Sequence, residues 1–507
     1  MGRSFWHGGL LGVVALGVCA GSAFAEGDIA SSRQTGNNND DKLARLESLL
    51  EAQQLKIQNL EQRVLAAGAQ DQDAARVEVM KQQIREVLGE SQFRESLMPS
   101  VVMAGYDNGF FIRSSDDKFK LKINGQLQFR WTHYGTRASN RYLRPREQRN
   151  DRTGFDVQRL RLIFTGHAYD PKLTYAIWLR ADAPDGYDFR IHYAWVNYKM
   201  RDEVQFKAGV FRLASTRSQM MSDANFNLVD RSVTDAVFGL GIGLGVRLWG
   251  QLFDKKLDYY LDVVNSLNSP GNRTITPDPA EHDNNPAILF RLVWHAMGDD
   301  PGNDFKTEGD VDKHDSPALD FGFHYAFNED DGDLRTTRIP FGRRRALGTG
   351  GGGFGLTNTN GLQINQFGID AAFKYQGFSL ITAYTLRIVD VRQGSRPFAP
   401  LFILTADDST TVMHGAYLQM GYFLPIPGLE DKLEAVVRVG GISTNNGGQE
   451  GTWEYSAGVN YYIEGNKVKL QTDVTKVSEV PISDNYSSLA NVNDDALIWR
   501  IQLQFAF

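Results

Sequence analysis

Basic side chains recur at alternate positions in several segments of this 507-residue chain. Lys118, Lys120, Lys122 and Arg130 share one parity within 118–131, and Arg159 and Arg161 repeat the spacing. Arg180, Lys207 and Arg247 follow in later segments, while Arg212, Arg217 and Arg231 stand at or on the long link after the fifth segment. Alternate residues of a strand share a face, so these cations can form a ladder. A ladder of Arg and Lys lining a narrow passage favours anions, because it replaces part of the hydration lost there. Arg offers oxyanions a planar fork, and Lys a mobile point charge. Any one such residue ordinarily serves as a solvated wall position; the signal is their concentration in the first six segments. Later segments turn acids the same way (Asp258, Asp320, Asp370, Glu434, Asp473), so a passage lined by all of them has mixed charge, part of it paired.

Other chemistry finds little footing. Residues 348–355 contain a formal G-x-G-x-x-G, but it is a glycine run with no Lys-Ser/Thr after it and no helix to follow, which reads as a loop. The nine histidines show no H-E-x-x-H or comparable metal spacing. No nucleophile, base and acid follow one another in a plausible order, and no motif calls for a cofactor or a metal, so an enzyme is not expected. The acidic stretch 299–315 is by default a solvated loop rather than a divalent-cation site. A net charge of −7 argues against nucleic acid as a partner but says little about the sign of charge inside a pore.

The elements that must position the basic ladder begin after three preliminary regions. Residues 1–25 read as a secretory signal peptide: Arg3, a short apolar core over 9–21, and Ala23-Phe24-Ala25 as the cleavage signature. Cys19 is the only cysteine and lies inside it, so the exported chain is expected to hold no disulfide, thiolate metal site or cysteine nucleophile. Residues 26–40 read as a disordered linker. Over 41–97 the period is helical. Leu43, Leu50, Ile57 and Val64 occupy one heptad position and Leu46, Leu60 and Ala67 the other, with Gln53 as the polar exception. This fits a short parallel coiled coil, placed in the periplasm; the alternative is one amphipathic helix lying against something else.

After 97 the period becomes two. In 118–131, Phe119, Leu121, Ile123, Leu127, Phe129 and Trp131 alternate with polar and basic residues, and 497–507 repeats the pattern to a terminal Phe507. Such a chain has no second apolar run long enough for a spanning helix, so it can cross a membrane only as a closed barrel, apolar outside and polar inside. About sixteen such segments can be counted, near 118–133, 155–168, 172–182, 189–199, 204–213, 238–250, 256–266 and 286–297, then 317–328, 361–375, 378–390, 411–423, 432–443, 452–463, 467–478 and 495–507. Tight turns at 169–171, 200–203, 251–255, 376–377 and 464–466 alternate with long links, the arrangement of short periplasmic turns and long external loops. The link 298–316 breaks parity, being long and acidic: either it is a periplasmic excursion or the strand count errs there.

The 106–507 region resembles the phosphate-selective porin O and P family. The opening 109–131 (GFFIRSSDDKFKLKINGQLQFRW) is similar to that family's first strand, and Phe206–Arg212 to the segment leading into its constriction loop. Asp230-Arg231-Ser232 stands where the family usually has Glu-Arg, while 455–462 and 500–505 match its closing strands. After the fifth strand this chain has Phe211-Arg212-Leu213-Ala214-Ser215 where the family usually has Pro-Phe-Ser. The resemblance implies an all-β, sixteen-stranded antiparallel outer-membrane barrel, assembled as a homotrimer, with its third loop folded inward and lumen Arg and Lys conducting anions such as phosphate or polyphosphate. Arg217 and Arg231 on that loop are then expected to approach the wall bearing Lys120, Lys122, Arg159 and Arg161. Outer-membrane lipid and lipopolysaccharide are the expected surroundings; Arg343-Arg344-Arg345 could attract anions at the outer mouth or bind lipopolysaccharide phosphates. The alternatives are a general or cation-preferring porin, a structural barrel tethered through its coiled coil, and a barrel enzyme of the lipase or protease type.

Overall fold

The computed structural model describes residues 56, 82, 102–138, 151–182, 187–265, 267, 285–330, 362–391, 410–429, 431–444, 451–478 and 494–507. The chain forms two units, Met1–Pro99 and Ser100–Phe507. In the first, Lys56 and Gln82 are helical and exposed. The signal peptide, the linker and the heptad seam residues lie outside the described residues, as do the glycine run at 348–355 and Arg343–Arg345.

The second unit is a closed antiparallel barrel. Two short strands, β1 (Met103–Tyr106) and β2 (Phe110–Arg113), precede sixteen longer ones. The first eight are β3 (Lys120–Ala138), β4 (Arg152–Ala168), β5 (Asp170–Arg180), β6 (Arg190–Arg201), β7 (Val204–Arg212), β8 (Ile242–Leu252), β9 (Leu257–Val264) and β10 (Ala287–Met297). The second eight are β11 (Ala318–Asp330), β12 (Leu362–Tyr375), β13 (Phe378–Val391), β14 (Thr410–Phe423), β15 (Leu433–Thr444), β16 (Thr452–Glu464), β17 (Val468–Ser478) and β18 (Asp494–Ala506). Each pairs with the next, and β18 returns to β3 with Ile501 opposite Trp131 and Gln502 opposite Arg130. Closure leaves no edge whose backbone groups would meet lipid unpaired.

The alternation along the strands decides which way each face looks. In β18, Leu497, Trp499, Leu503 and Phe505 are about half exposed, whereas Ile498, Arg500, Gln502 and Gln504 are buried. The same split puts Leu127 and Phe129 outside and Gln126, Gln128 and Arg130 inside on β3. Trp131 and Trp499 meet edge to face across the seam, ring centroids 5.2 Å apart. The apolar set is therefore the lipid face and the polar set the lumen face.

Three features depart from the pattern of the sequence. The β1–β2 hairpin, which lies before the first counted segment, fills a gap. β18 ends opposite Gln126, and β2 continues along the same edge of β3, pairing Phe110 with Ile123 through Arg113 with Lys120. The Asn124 side-chain amide donates to the carbonyls of both Asn108 and Phe507, joining the two pieces of that edge. The segment expected from 238 starts as strand only at Ile242, because Phe238 closes a helix instead of joining the sheet. Finally, the sixteen-strand count stands across 298–316, and that link turns back into the barrel: the Glu308 amide donates to the Asn225 carbonyl at 3.0 Å.

Ile369 lies mid-strand on the outer face of β12 and is 58% exposed. Ile369→Arg should cost about 2–4 kcal/mol of folding free energy in a bilayer, the midplane value for Arg on a lipid face. Denaturant titration in lipid vesicles measures it. A loss near zero would mean that this face does not meet lipid.

Candidate functional site

The link between β7 and β8 runs inside the barrel. It contains one helical turn, α1 (Arg217–Met220), a 3-10 turn (Asp223–Asn225) and α2 (Val233–Phe238). Its local structure follows from its serines and threonine. Thr216, Ser222 and Ser232 stand at the N-caps, where each hydroxyl accepts a backbone N–H of the turn it starts. Val233, Val237 and Phe238 of α2 pack on Tyr134, Met413, Ile442, Val477 and Ile498. Burying Val237 and Phe238 contributes about 1.5–3 kcal/mol each. Gly415 makes room for this, since a Cβ there would stand 2.8 Å from the Phe238 ring.

Between the two ends the lumen wall holds the link's backbone. Gln504 donates to the Ala224 carbonyl at 2.8 Å, Lys469 to the Phe226 carbonyl at 2.6 Å and Asn460 to the Asn227 carbonyl at 2.6 Å. In the other direction, Asp473 accepts from the Val229 amide at 3.0 Å and Glu454 from the Val233 amide at 2.6 Å. Buried backbone groups require such partners, and here strands β15–β18 supply them.

Two carboxylates of the link gather most of the nearby guanidiniums. Asp230 receives Arg130 through both terminal nitrogens at 2.9 and 3.0 Å, Arg500 at 2.8 Å and Arg159 at 3.3 Å. Asp223 receives Arg161 at 2.6 Å, Arg231 at 2.6 Å and Arg159 at 3.1 Å. A bulge in β4 aims the pair: Arg159 opposes Gln128 whereas Val157 opposes Phe129, so Gln158 is skipped. Burial alone would raise both carboxyls. The guanidiniums outweigh it and hold each well below the ordinary carboxylate range.

Charge does not balance here. Arg130, Arg159, Arg161, Arg180, Arg212, Arg231 and Arg500 are seven guanidiniums; Asp156, Asp182, Asp223, Asp230 and Asp473 are five carboxylates among them. Arg212 donates to the Tyr193 hydroxyl at 2.7 Å and to the Met221 carbonyl. The buried Nε and Nη1 of Arg161 have no hydrogen-bond partner among the described residues. The cluster thus carries surplus positive charge and donors with nothing to bind.

The other candidate residues lie elsewhere. Arg217 does not approach the Arg159–Arg161 wall. It crosses to the opposite side, 2.8 Å from Asp370 and 3.3 Å from Asp320, because α1 enters the lumen beside β11 and β12. Lys120 and Lys122 share the lumen face of β3 but sit at its start, where Lys120 reaches Asp107 at 3.9 Å and the Phe111 ring. Lys207 lies between the Trp195 and Trp249 rings, at 4.3 and 5.3 Å. Arg247 closes a two-point pair with Asp262, at 2.5 and 2.7 Å, and Arg180 stands 3.6 Å from Asp182. Of the inward acids of the later strands, Asp320, Asp370 and Asp473 are paired with arginine, and Glu434 with Asn460 and Tyr462. Arg500 and Asp223 belong to the cluster without having been candidates. The signals for Arg500 were its place on the polar parity of the last strand and in the 500–505 stretch that resembles the family's closing strand.

Asp230→Asn keeps the volume and removes the charge that three buried guanidiniums share. Breaking a buried pair in this way costs about 3–5 kcal/mol. Because the folded carboxyl is depressed, its contribution is full above the ordinary unfolded value of about 4 and fades only as pH falls through the lower folded value. The variant should therefore show a lower denaturation midpoint and faster proteolysis of the link at pH 7. The difference from wild type should shrink in strong acid. Equal midpoints at pH 7 would show that the ion pairs hold nothing in place.

Comparisons with known proteins give the following likenesses. The model of the phosphate-selective porin O and P family matches residues 133–276, which include the inward link. No curated protein matches the chain. Among solved structures, the outer membrane channel DcaP of Acinetobacter baumannii is similar at 11% identity and a TM-score of 0.49, covering 80% of this chain and 100% of that one. An anion-selective porin from Comamonas acidovorans is similar at 10% identity and a TM-score of 0.48, covering 76% and 99%. OmpT of Vibrio cholerae, in a trimer form, is similar at 11% and 0.46, covering 77% and 100%. The family-model match thus falls on residues 133–276, and over that stretch the chain is similar to the phosphate-selective porins O and P.

Proposed function

We propose that this channel passes small anions, and that the arginine cluster facing the β7–β8 link selects them. The surplus of guanidiniums over carboxylates, with two Arg161 nitrogens unpartnered, carries the reading. Where low-dielectric walls narrow a pore, local charge outweighs the net −7 of the chain. An oxyanion drawn to the cluster would take the buried Arg161 nitrogens as donors and exchange with Asp223 and Asp230 along the same guanidiniums, each of which offers a fork suited to phosphate. Phosphate and polyphosphate are the expected cargo; Lys120, Lys122 and Lys207, lower on the wall, extend the basic path.

Neutralising Arg159 and Arg161 together, to Gln, should lower the anion-to-cation permeability ratio, read as a reversal potential in a salt gradient across a planar bilayer. A wild-type channel that prefers cations would make this a general porin, with the lumen acids setting its preference.

Assembly as a homotrimer, with the 41–97 helix bundled on the periplasmic side, completes the proposal. Native mass measurement in detergent should give three copies; one copy, both with and without residues 41–97, would end it.

A further inference from the structure

We infer that the link between β10 and β11, residues 298–317, is a second permeation element: it enters the lumen from the short-turn end and clamps the tip of the β7–β8 link, so both links together set the conductance. Links at this end of an outer-membrane barrel are ordinarily short and lie outside the lumen. This one is held at two levels. At its base, the Gly377 amide donates to Asp310 at 2.7 Å and the Gln376 amide to the His314 carbonyl at 2.9 Å, which ties the link to the β12–β13 turn. Lys374 of β12 donates to the Asp304 carbonyl at 2.8 Å and to the Thr307 hydroxyl at 2.9 Å.

At its tip the link meets the other loop. The Asn225 side chain donates to the Lys306 carbonyl at 2.9 Å, and the Glu308 amide donates back to the Asn225 carbonyl at 3.0 Å. The Glu308 carboxylate accepts from the Asn227 amide and from Gln419 of β14, both at 3.0 Å. Burial pushes this carboxyl up, so bringing it inside carries a desolvation cost that the Asn227 and Gln419 donors offset in part. Phe305 adds a ring 5.4 Å from the Arg217 guanidinium. Gly309 lets the tip pass the wall, because a Cβ there would stand 2.6 Å from Glu434. Since Phe226 and Asn227 are themselves bonded to Lys469 and Asn460, the contacts run from the β12 wall through both links to β16 and β17. Chain that bridges a lumen from wall to wall occupies cross-section through which solute would otherwise pass.

The link is also acidic. Asp299, Asp300, Asp304, Glu308, Asp310, Asp312 and Asp315 face only Lys306 and Lys313 as basic side chains within it, along with His314. Under the arginine cluster, this places opposite charge at the two ends of the passage. Removing the link should therefore raise conductance and shift selectivity toward anions.

The test is single-channel recording on two full-length variants: Phe305→Ala with Glu308→Ala, and a chain in which a two-residue turn replaces 300–315. Both should conduct more than wild type, roughly twofold for the shortened link if it fills a comparable part of the lumen to the other loop. Wild-type conductance in folded, inserted double variant overturns the inference. That variant decides alone if the shortened chain does not insert. The anion reading fails separately, through the sign of the wild-type reversal potential.

Discussion

Charge buried inside the lumen has to be matched, and Asp230 matches three guanidiniums at once. Arg130, Arg159 and Arg500 project from three strands toward one region, and without a carboxylate between them their mutual repulsion would add to the cost of leaving water. The carboxylate comes from a loop, not from the wall. The loop in turn depends on the wall, because its own amides and carbonyls from Ala224 to Val233 bond to side chains of β15–β18. Neither part is satisfied alone. Each supplies donors and acceptors that the other lacks.

This reciprocity explains why the barrel lumen can be so polar and still so ordered. Gln128, Gln471, Gln502 and Gln504 are buried on adjacent strands, and the amides bond to one another and to the loop. A network of this kind rigidifies when complete. Among the described residues it is left incomplete at Arg161, as it is at Gln126 and Ser215, and at Arg161 the proposed anion would take the part of a missing carboxylate.

The strands were legible because period two is a local signal: Lys120, Lys122 and Arg130 share a parity that any register preserves. The lumen face of Arg159 and Arg161 was legible for the same reason. What local pattern does not contain is the path of a loop. Arg217 and Arg231 are fourteen residues apart on one link, yet Arg217 pairs with Asp320 and Asp370 of the wall whereas Arg231 pairs with Asp223 of the link itself. The acids of 299–315 look like any solvated loop, since the partner of Glu308 is Asn227, 81 positions earlier. The β1–β2 hairpin falls outside the counted segments because four-residue strands are too short to show a period.

The place where Asp230 binds has a bearing on how the molecule is assembled. Arg130 lies on β3 and Arg500 on β18, the two strands that meet to close the ring, and Gln502 opposite Arg130 bonds to it as well. These strands lie 370 positions apart in the chain, so their pairing carries the largest loop-closure entropy in the barrel and belongs among the last steps of folding. A carboxylate that grips both strands acts as a rivet across the joint. The loop that narrows the passage is then also the piece that keeps the cylinder from springing open, which ties the maturation of the pore to the completion of its wall.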